Sequence, residues 1–262
     1  MAYEELKQRQ SAMWGNGPFE RVAGTVRDAH ALVVERLGVE PGMRWLDVAC
    51  GTGAVAERAA AGGAEVTGID LAPALIETAR ARAAKLGFAI DYRVGDCERL
   101  DFPDGAFDVV SSTFGVMFAP DHGASARELA RVTRAGGRLG LTCWTPTGGA
   151  ARMFRMMAPF QPAPPPSNPF DWGDEGKVRE LLGAWFDLAI EEHVSTFRVE
   201  SGDAYWDLFS NSFGPTKTLA DSLGDRREEL HRAWVEFFER EYPDADGGVA
   251  HMREYLLILG QR

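Results

Sequence analysis

The chain has 262 residues, of which 45% are hydrophobic and 26% are charged, so it can bury a globular core and intrinsic disorder is not expected. Its formal net charge of −11 argues against a nucleic-acid partner, because a phosphate backbone would repel it. With no apolar signal region near the start and no run of about 18 to 20 apolar residues, we expect a cytoplasmic protein without a membrane partner.

The predicted elements begin with a helix over residues 22–37, where apolar side chains recur on one face. From residue 43 to residue 145, short apolar runs alternate with helical stretches, which is typical of a doubly wound parallel sheet. Five strands are predicted at residues 44–49, 65–70, 89–94, 107–113 and 138–144, with helices at 54–61, 73–86 and 124–134.

The second half of the chain has a different texture. Six of the fourteen prolines fall within residues 159–169, which predicts a loop. Beyond it, residues 188–199 resemble a strand, residues 203–242 are mostly helical and rich in aromatics, and residues 255–259 form a last apolar strand. This part therefore looks like a helical insertion that returns to the sheet.

The most informative stretch is a glycine turn that follows the first predicted strand. Glycines there allow a ligand to lie against the backbone, and the N–H groups at the start of the next helix stay free to donate. Taken alone, Gly51-x-Gly53-x-x-Ala56 together with Asp70 also matches the dinucleotide-binding fingerprint. The glycine pattern therefore leaves an NAD-dependent oxidoreductase open.

Acidic residues stand at the ends of three successive strands. Asp47 is costly to bury unless it binds a partner such as the ammonium of a methionyl group, directly or through water. Asp70 can accept hydrogen bonds from both hydroxyls of a ribose. Asp96 can accept from an adenine amino group while the backbone N–H of Cys97 faces a ring nitrogen. A dinucleotide would not require this third acid, which favours S-adenosylmethionine (SAM).

Five motifs follow one another in a fixed order over about a hundred residues, at 46–53, 66–71, 95–97, 107–114 and 128–137. Together they resemble the class I SAM-dependent methyltransferases, most closely the ubiquinone/menaquinone-type subgroup with methyltransferase domain 11/25. The resemblance implies an α/β fold with a Rossmann-like, doubly wound, mostly parallel seven-stranded sheet and a helical cap inserted in the C-terminal half. The expected segments are a helical lid (1–42), a SAM-binding core (43–145), a cap and substrate region with one returning strand (146–252) and a final strand (253–262).

The resemblance also implies roles for individual residues. Asp47, Gly51 and Gly53 would frame the methionyl part of SAM, and Thr113 would lie beside the sulfonium. Trp14 belongs to a segment that resembles a lid over the cofactor. The predicted cofactor-binding residues are Trp14, Asp47, Ala49, Gly51, Thr52, Gly53, Asp70, Leu71, Asp96, Cys97, Thr113 and Phe114.

We therefore expect a SAM-dependent methyltransferase that acts on a small molecule by in-line displacement and releases S-adenosylhomocysteine (SAH). The sulfonium already activates the methyl group, so positioning is the main task, and no catalytic base is assigned. The three cysteines lack CxxC spacing and predict neither a disulfide framework nor a metal site. The alternatives are an NAD-dependent oxidoreductase and a SAM-binding protein without transferase activity. The acceptor, its reacting atom and the oligomeric state do not follow from the sequence.

Overall fold

A seven-stranded sheet with the strand order β3-β2-β1-β4-β5-β7-β6 forms the centre of the protein. The computed structural model describes residues 3–262, so the first two residues of the predicted lid segment lie outside it. Strands β1 to β5 pair in parallel, whereas β7 is antiparallel to its neighbours β5 and β6. The strands are β1 (Arg44–Val48), β2 (Glu65–Asp70), β3 (Asp91–Val94), β4 (Phe107–Thr113), β5 (Thr133–Trp144), β6 (Asp187–Val199) and β7 (Val249–Gln261).

The order of the strands determines where a ligand can bind. Strand β1 lies between β2 and β4. The chain adds β2 and β3 on one side of β1 and then returns to add β4 and β5 on the other side, so the strand order reverses at β1. Open α/β sheets bind ligands in the crevice at the carboxyl ends of strands where this reversal occurs. The predicted mostly parallel, seven-stranded α/β fold is confirmed.

Helices cover both faces of the sheet and form a separate layer beside it. A second apolar core lies in this layer, where aromatic side chains of α9 and α11 pack together; we call α7 and α9 to α11 the cap. None of the helices within residues 3–262 is long and apolar enough to cross a membrane. The helices are α1 (Glu4–Trp14), α2 (Glu20–Ala23), α3 (Arg27–Leu37), α4 (Ala54–Ala61), α5 (Pro73–Leu86), α6 (His122–Val132), α7 (Gly149–Met157), α8 (Glu175–Leu182), α9 (Gly202–Ser212), α10 (Gly214–Ser222) and α11 (Arg227–Glu241).

The prediction of one continuous helix over residues 22–37 is wrong, because the chain forms two helices there. A short 3-10 segment, Gly24–Val26, separates α2 from α3. The apolar residues whose spacing suggested the helix are all buried: Val22, Val26, Ala29, Val33 and Leu37. The spacing therefore identified the buried face but missed the break. The break places the side chain and the carbonyl of Thr25 against Arg253, far away in the chain.

The junction of α6 and β5 also differs from the prediction. The helix ends at Val132 and the strand begins at Thr133, five residues before the predicted start. Thr133 pairs with Phe107 ahead of a register shift, and Gly136 adopts a positive φ of 69° within this irregular stretch. A bulge at paired glycines therefore lengthens β5 at its start. Strand β7 is likewise longer than the predicted 255–259.

Candidate functional site

A cavity opens at the carboxyl ends of β1, β2 and β4, between the sheet, α1 and the cap. Every predicted cofactor-binding residue except Gly53 lines it. Its walls continue from these residues to aromatic side chains of the cap, so one space joins both regions.

Asp47 lies near the end of β1 and is buried. Its Oδ1 accepts a hydrogen bond from the Ser111 hydroxyl at 2.8 Å. The Ser111 oxygen in turn accepts from the Trp45 indole N–H at 2.8 Å. Burial raises the pKa of Asp47 to about 7, although the bond from Ser111 opposes the rise. Within residues 3–262 Asp47 forms no ion pair, so a cationic ligand group would relieve the cost of this buried carboxylate.

Asp70 ends β2 and holds the glycine turn against it. Its Oδ2 accepts from the Gly51 N–H and its Oδ1 from the Ala72 N–H, both at 2.9 Å. Burial raises the pKa of Asp70, while these backbone bonds oppose the rise. Each carboxylate oxygen has a second lone pair, so Asp70 can accept further hydrogen bonds from the cavity side.

Gly51 and Gly53 have different local reasons to be glycine. Both adopt positive φ, 55° and 88°, which favours glycine. Gly51 lines the cavity, where a side chain would come to 3.3 Å from the ring of Phe19. A Cβ on Gly53 would instead lie 2.1 Å from the hydroxyl oxygen of Tyr92. Gly53 therefore allows the start of α4 to lie against the Tyr92 side chain of β3, and it is not part of the cavity wall.

Asp96 and Cys97 follow β3 and lie in the cavity wall. The Lys7 ammonium of α1 binds Asp96 at 2.7 Å and also pairs with Glu98. Burial raises the pKa of the Cys97 thiol to about 12, and its sulfur lies 3.7 Å from the Ser125 hydroxyl. The predicted adenine end of the site is thus tied to the N-terminal helix, a contact that the sequence pattern did not indicate.

Helix α1 lies across this end of the cavity. The Ser11 hydroxyl donates to the Leu71 carbonyl at 2.9 Å, and the Gln10 amide donates to the Phe118 carbonyl at 3.0 Å. Trp14 makes edge contacts with the rings of Phe118 and Phe213. The segment predicted to act as a lid therefore contacts both the sheet side and the cap side.

Backbone strain occurs where β1 and β4 end, and an unpaired hydroxyl lies at the end of β4. Ala49 and Phe114 both have a φ of 53°, which non-glycine residues rarely adopt. The Phe114 ring stacks on Trp144 at a centroid distance of 3.6 Å. The hydroxyl of Thr113 is buried and has no hydrogen-bond partner in the described part of the chain. Strain and unpaired polar atoms of this kind concentrate at binding sites.

The cap half of the cavity was not assigned from the sequence. Tyr205, Phe209 and Phe213 of the aromatic-rich segment predicted at residues 203–242 line it, whereas Trp206 and Trp234 of the same segment lie in the core of the cap. His30 and Arg253 also line it. Burial lowers the pKa of His30 to about 4, so this imidazole is neutral near pH 7. These residues come together only through the tertiary fold.

Comparisons with known proteins agree with this geometry. A family model described as a methyltransferase domain matches residues 46–141. Uncharacterized protein Rv1405c of Mycobacterium tuberculosis is 36% identical, over 99% of this chain and 96% of its own length. The nocamycin O-methyltransferase of Saccharothrix syringae is 35% identical, over 78% of this chain and 69% of its own. The solved structure of the YcgJ protein from Bacillus subtilis shares the fold, with a TM-score of 0.66 at 18% identity, covering 90% of this chain and 98% of that one.

Proposed function

Because the chain belongs to the class I SAM-dependent methyltransferases, its cofactor is SAM, and we propose that it methylates a small, largely apolar molecule bound in the cap half of the cavity. The observation that carries this proposal is the continuity of the cavity. Its walls include three carboxylates, Asp47, Asp70 and Asp96, at one end and the rings of Phe154 and Phe209 at the other. Apolar and aromatic walls favour an acceptor of the same character.

The residues of the first end fit the parts of SAM. Asp47 is a buried carboxylate without a cation, which suits the methionyl ammonium. Asp70 fixes the glycine turn and keeps acceptor capacity for the ribose hydroxyls. Asp96 and Cys97 would hold the adenine, and the unpaired hydroxyl of Thr113 would lie beside the sulfur. Gly53 is left out of this assignment because it packs on Tyr92.

When bound, SAM supplies a methyl group on a positively charged sulfur, which makes the methyl carbon an activated electrophile. Transfer would give the methylated acceptor and SAH, and any proton on the acceptor atom would be lost to solvent, because no base is assigned. The chain's task is to hold the acceptor in line, which can lower the barrier by about 7 to 11 kcal/mol. Helix α1 contacts both the sheet side and the cap at this space, an arrangement that would limit the access of water to the reacting atoms.

Incubation with SAM labelled on its methyl group and a panel of apolar acceptors tests the proposal. We expect label to appear in an acceptor with wild-type protein and to be reduced in Asp70→Ala. The matched control is Asp91→Ala, an exposed carboxylate on β3 outside the cavity wall, which should keep full transfer.

Two other outcomes separate the alternative functions. Binding of SAH by calorimetry with no transfer to any acceptor would favour a SAM-binding protein without transferase activity. Thermal stabilisation by NADH and not by SAH would favour an oxidoreductase. A ligand at about 100 times its dissociation constant stabilises a protein by about 2.7 kcal/mol, which is readily measured.

A further inference from the structure

Arg253 is a buried cation in the wall of the cavity. It lies on β7, and only 4% of its surface is exposed. Its guanidinium lies over the ring of Trp144 and the ring of Phe197, at 5.7 Å from each centroid. A guanidinium is costly to remove from water unless an anion or several strong acceptors compensate it.

The protein compensates this charge only in part. The described chain contains no ion pair that includes Arg253. Its Nη1 and Nη2 donate to the hydroxyl and the carbonyl of Thr25 at 3.0 and 2.6 Å, and its contacts to Ser195 are long, at 3.4 and 3.5 Å. These bonds use one of the two Nη1 hydrogens. A guanidinium has five N–H donors, so one is left without an acceptor within residues 3–262, and Arg253 lines the cavity.

One carboxylate, Asp28, acts on Arg253 as a weak counter-ion. Asp28 accepts a hydrogen bond from the Ser195 hydroxyl at 2.9 Å, so one hydroxyl separates it from Arg253. Asp28 itself is exposed, and solvent screens its charge. Although the formal net charge is −11, no acidic residue within 3–262 forms a direct ion pair with this buried arginine.

The position of Arg253 relative to the donor end supports a ligand role. The Phe114 ring next to Thr113 stacks on Trp144, and the same Trp144 ring contacts the guanidinium. The ring of Trp144 therefore links Arg253 to Phe114, which follows Thr113, the residue proposed to lie beside the sulfonium. An acceptor that reaches the methyl group from the cap half would have part of its length beside this guanidinium.

We propose that the methyl acceptor carries a carboxylate that Arg253 binds, so that Arg253 selects apolar carboxylates as substrates. This inference rests on the function proposed above. In an apolar pocket, a charge-assisted hydrogen bond from the remaining Nη1 hydrogen to a carboxylate gives both attraction and orientation. Arg253 is a positioning residue here, because it binds the acceptor at a group remote from the reacting atoms.

A carboxylate matches the charge of the pocket better than a diphosphate does. The other cation in the cavity wall, Lys7, lies at the opposite end and is paired with Asp96 and Glu98. His30 is neutral, so the cap half offers one positive charge. A carboxylate brings one negative charge, whereas a diphosphate would bring at least two and leave a buried charge unpaired.

The test measures binding of ω-phenyl carboxylates with two to eight methylenes, and of the matching alcohols, to protein saturated with SAH. We expect at least one carboxylate to bind wild type more than tenfold more tightly than its alcohol. Arg253→Met should remove this preference while SAH binding stays within twofold, and Arg253→Lys should keep part of it. Arg198→Met, which removes an exposed positive charge on β6, is the matched control and should keep the full preference.

The possible results separate this proposal from the general function. If no carboxylate binds wild type more tightly than its alcohol, or if Arg253→Met keeps the preference, the proposal is overturned. If SAH binds and the carboxylate preference depends on Arg253 but no methyl transfer occurs, the binding role stands and the transferase function fails. Because Arg253 also binds Thr25, SAH affinity is the check that the Met variant is folded.

Discussion

The affinity for SAH should rise about tenfold between pH 6 and pH 8 because of Asp47. Burial raises the pKa of this carboxyl to about 7 in the protein without ligand. The proposed partner, the methionyl ammonium, pairs only with the ionised carboxylate. One pH unit below the pKa, about nine in ten molecules carry a protonated Asp47, and ionising it costs about 1.4 kcal/mol of binding free energy.

Asp47→Asn tests the same raised pKa through folding stability, which should increase in the variant while its SAH affinity decreases. The pKa of Asp47 in the folded protein, about 7, is higher than the unfolded value of about 3.9. Stability contributed by the protonated form is therefore present below pH 4 and is lost as pH rises to 7. Above pH 7 the ionised carboxylate costs up to about 4 kcal/mol, so the Asn variant should unfold at higher denaturant concentration at pH 8. Its SAH affinity should be low and independent of pH.

Calorimetric titration of SAH from pH 5.5 to 8.5 measures the effect. The control ligand is 5′-methylthioadenosine, which keeps the adenosine and lacks the ammonium, so its affinity should not change through pH 7. A flat profile for SAH, or the same profile for methylthioadenosine, would show that Asp47 does not face the methionyl group.

Three further substitutions test other contacts of the site. Asp70→Ala should lower SAH affinity by about 1 to 3 kcal/mol in calorimetry, and Asp70→Asn, which keeps an oxygen for the Gly51 N–H, should lose less. Gly53→Ala should destabilise the protein by more than about 1 kcal/mol in thermal unfolding with or without SAH, and Tyr92→Leu in the same chain should recover part of the loss. Lys7→Met should speed SAH release in stopped-flow measurements because it frees α1 from Asp96, whereas the exposed Lys85→Met should not.

The sheet could be predicted because its signals are local. Each strand of the core is a short apolar run next to a helical stretch, and the acids Asp47 and Asp70 mark two strand ends. The break between α2 and α3 has no such signal. Thr25 is held there by Arg253, 228 residues away in the chain, and tertiary contacts of this kind override helical spacing.

The two halves of the site differ in predictability for the same reason. The half around the glycine turn uses residues adjacent to strand ends, so a motif can identify them. The half around Arg253 and Tyr205 forms only when β7 pairs between β5 and β6 and α9 packs beside it, and no spacing in the sequence brings the two residues together. Even within the motif, the sequence could not distinguish Gly51, which faces the cavity, from Gly53, which packs on Tyr92.

Departures from stable local structure concentrate on the cavity. Ala49 and Phe114 hold unfavourable backbone angles, Asp47 and Arg253 are buried charges without ion pairs, and the Thr113 hydroxyl has no partner in residues 3–262. All five residues line one space. Each of these features costs stability in the unliganded protein, and the hydrogen bonds of Asp47 to Ser111 and of Arg253 to Thr25 offset the two buried charges only in part. A cationic, adenosyl-bearing donor at one end and an anionic, apolar acceptor at the other would satisfy the charges and the hydroxyl together, so the two ligands should stabilise the fold more than either does alone.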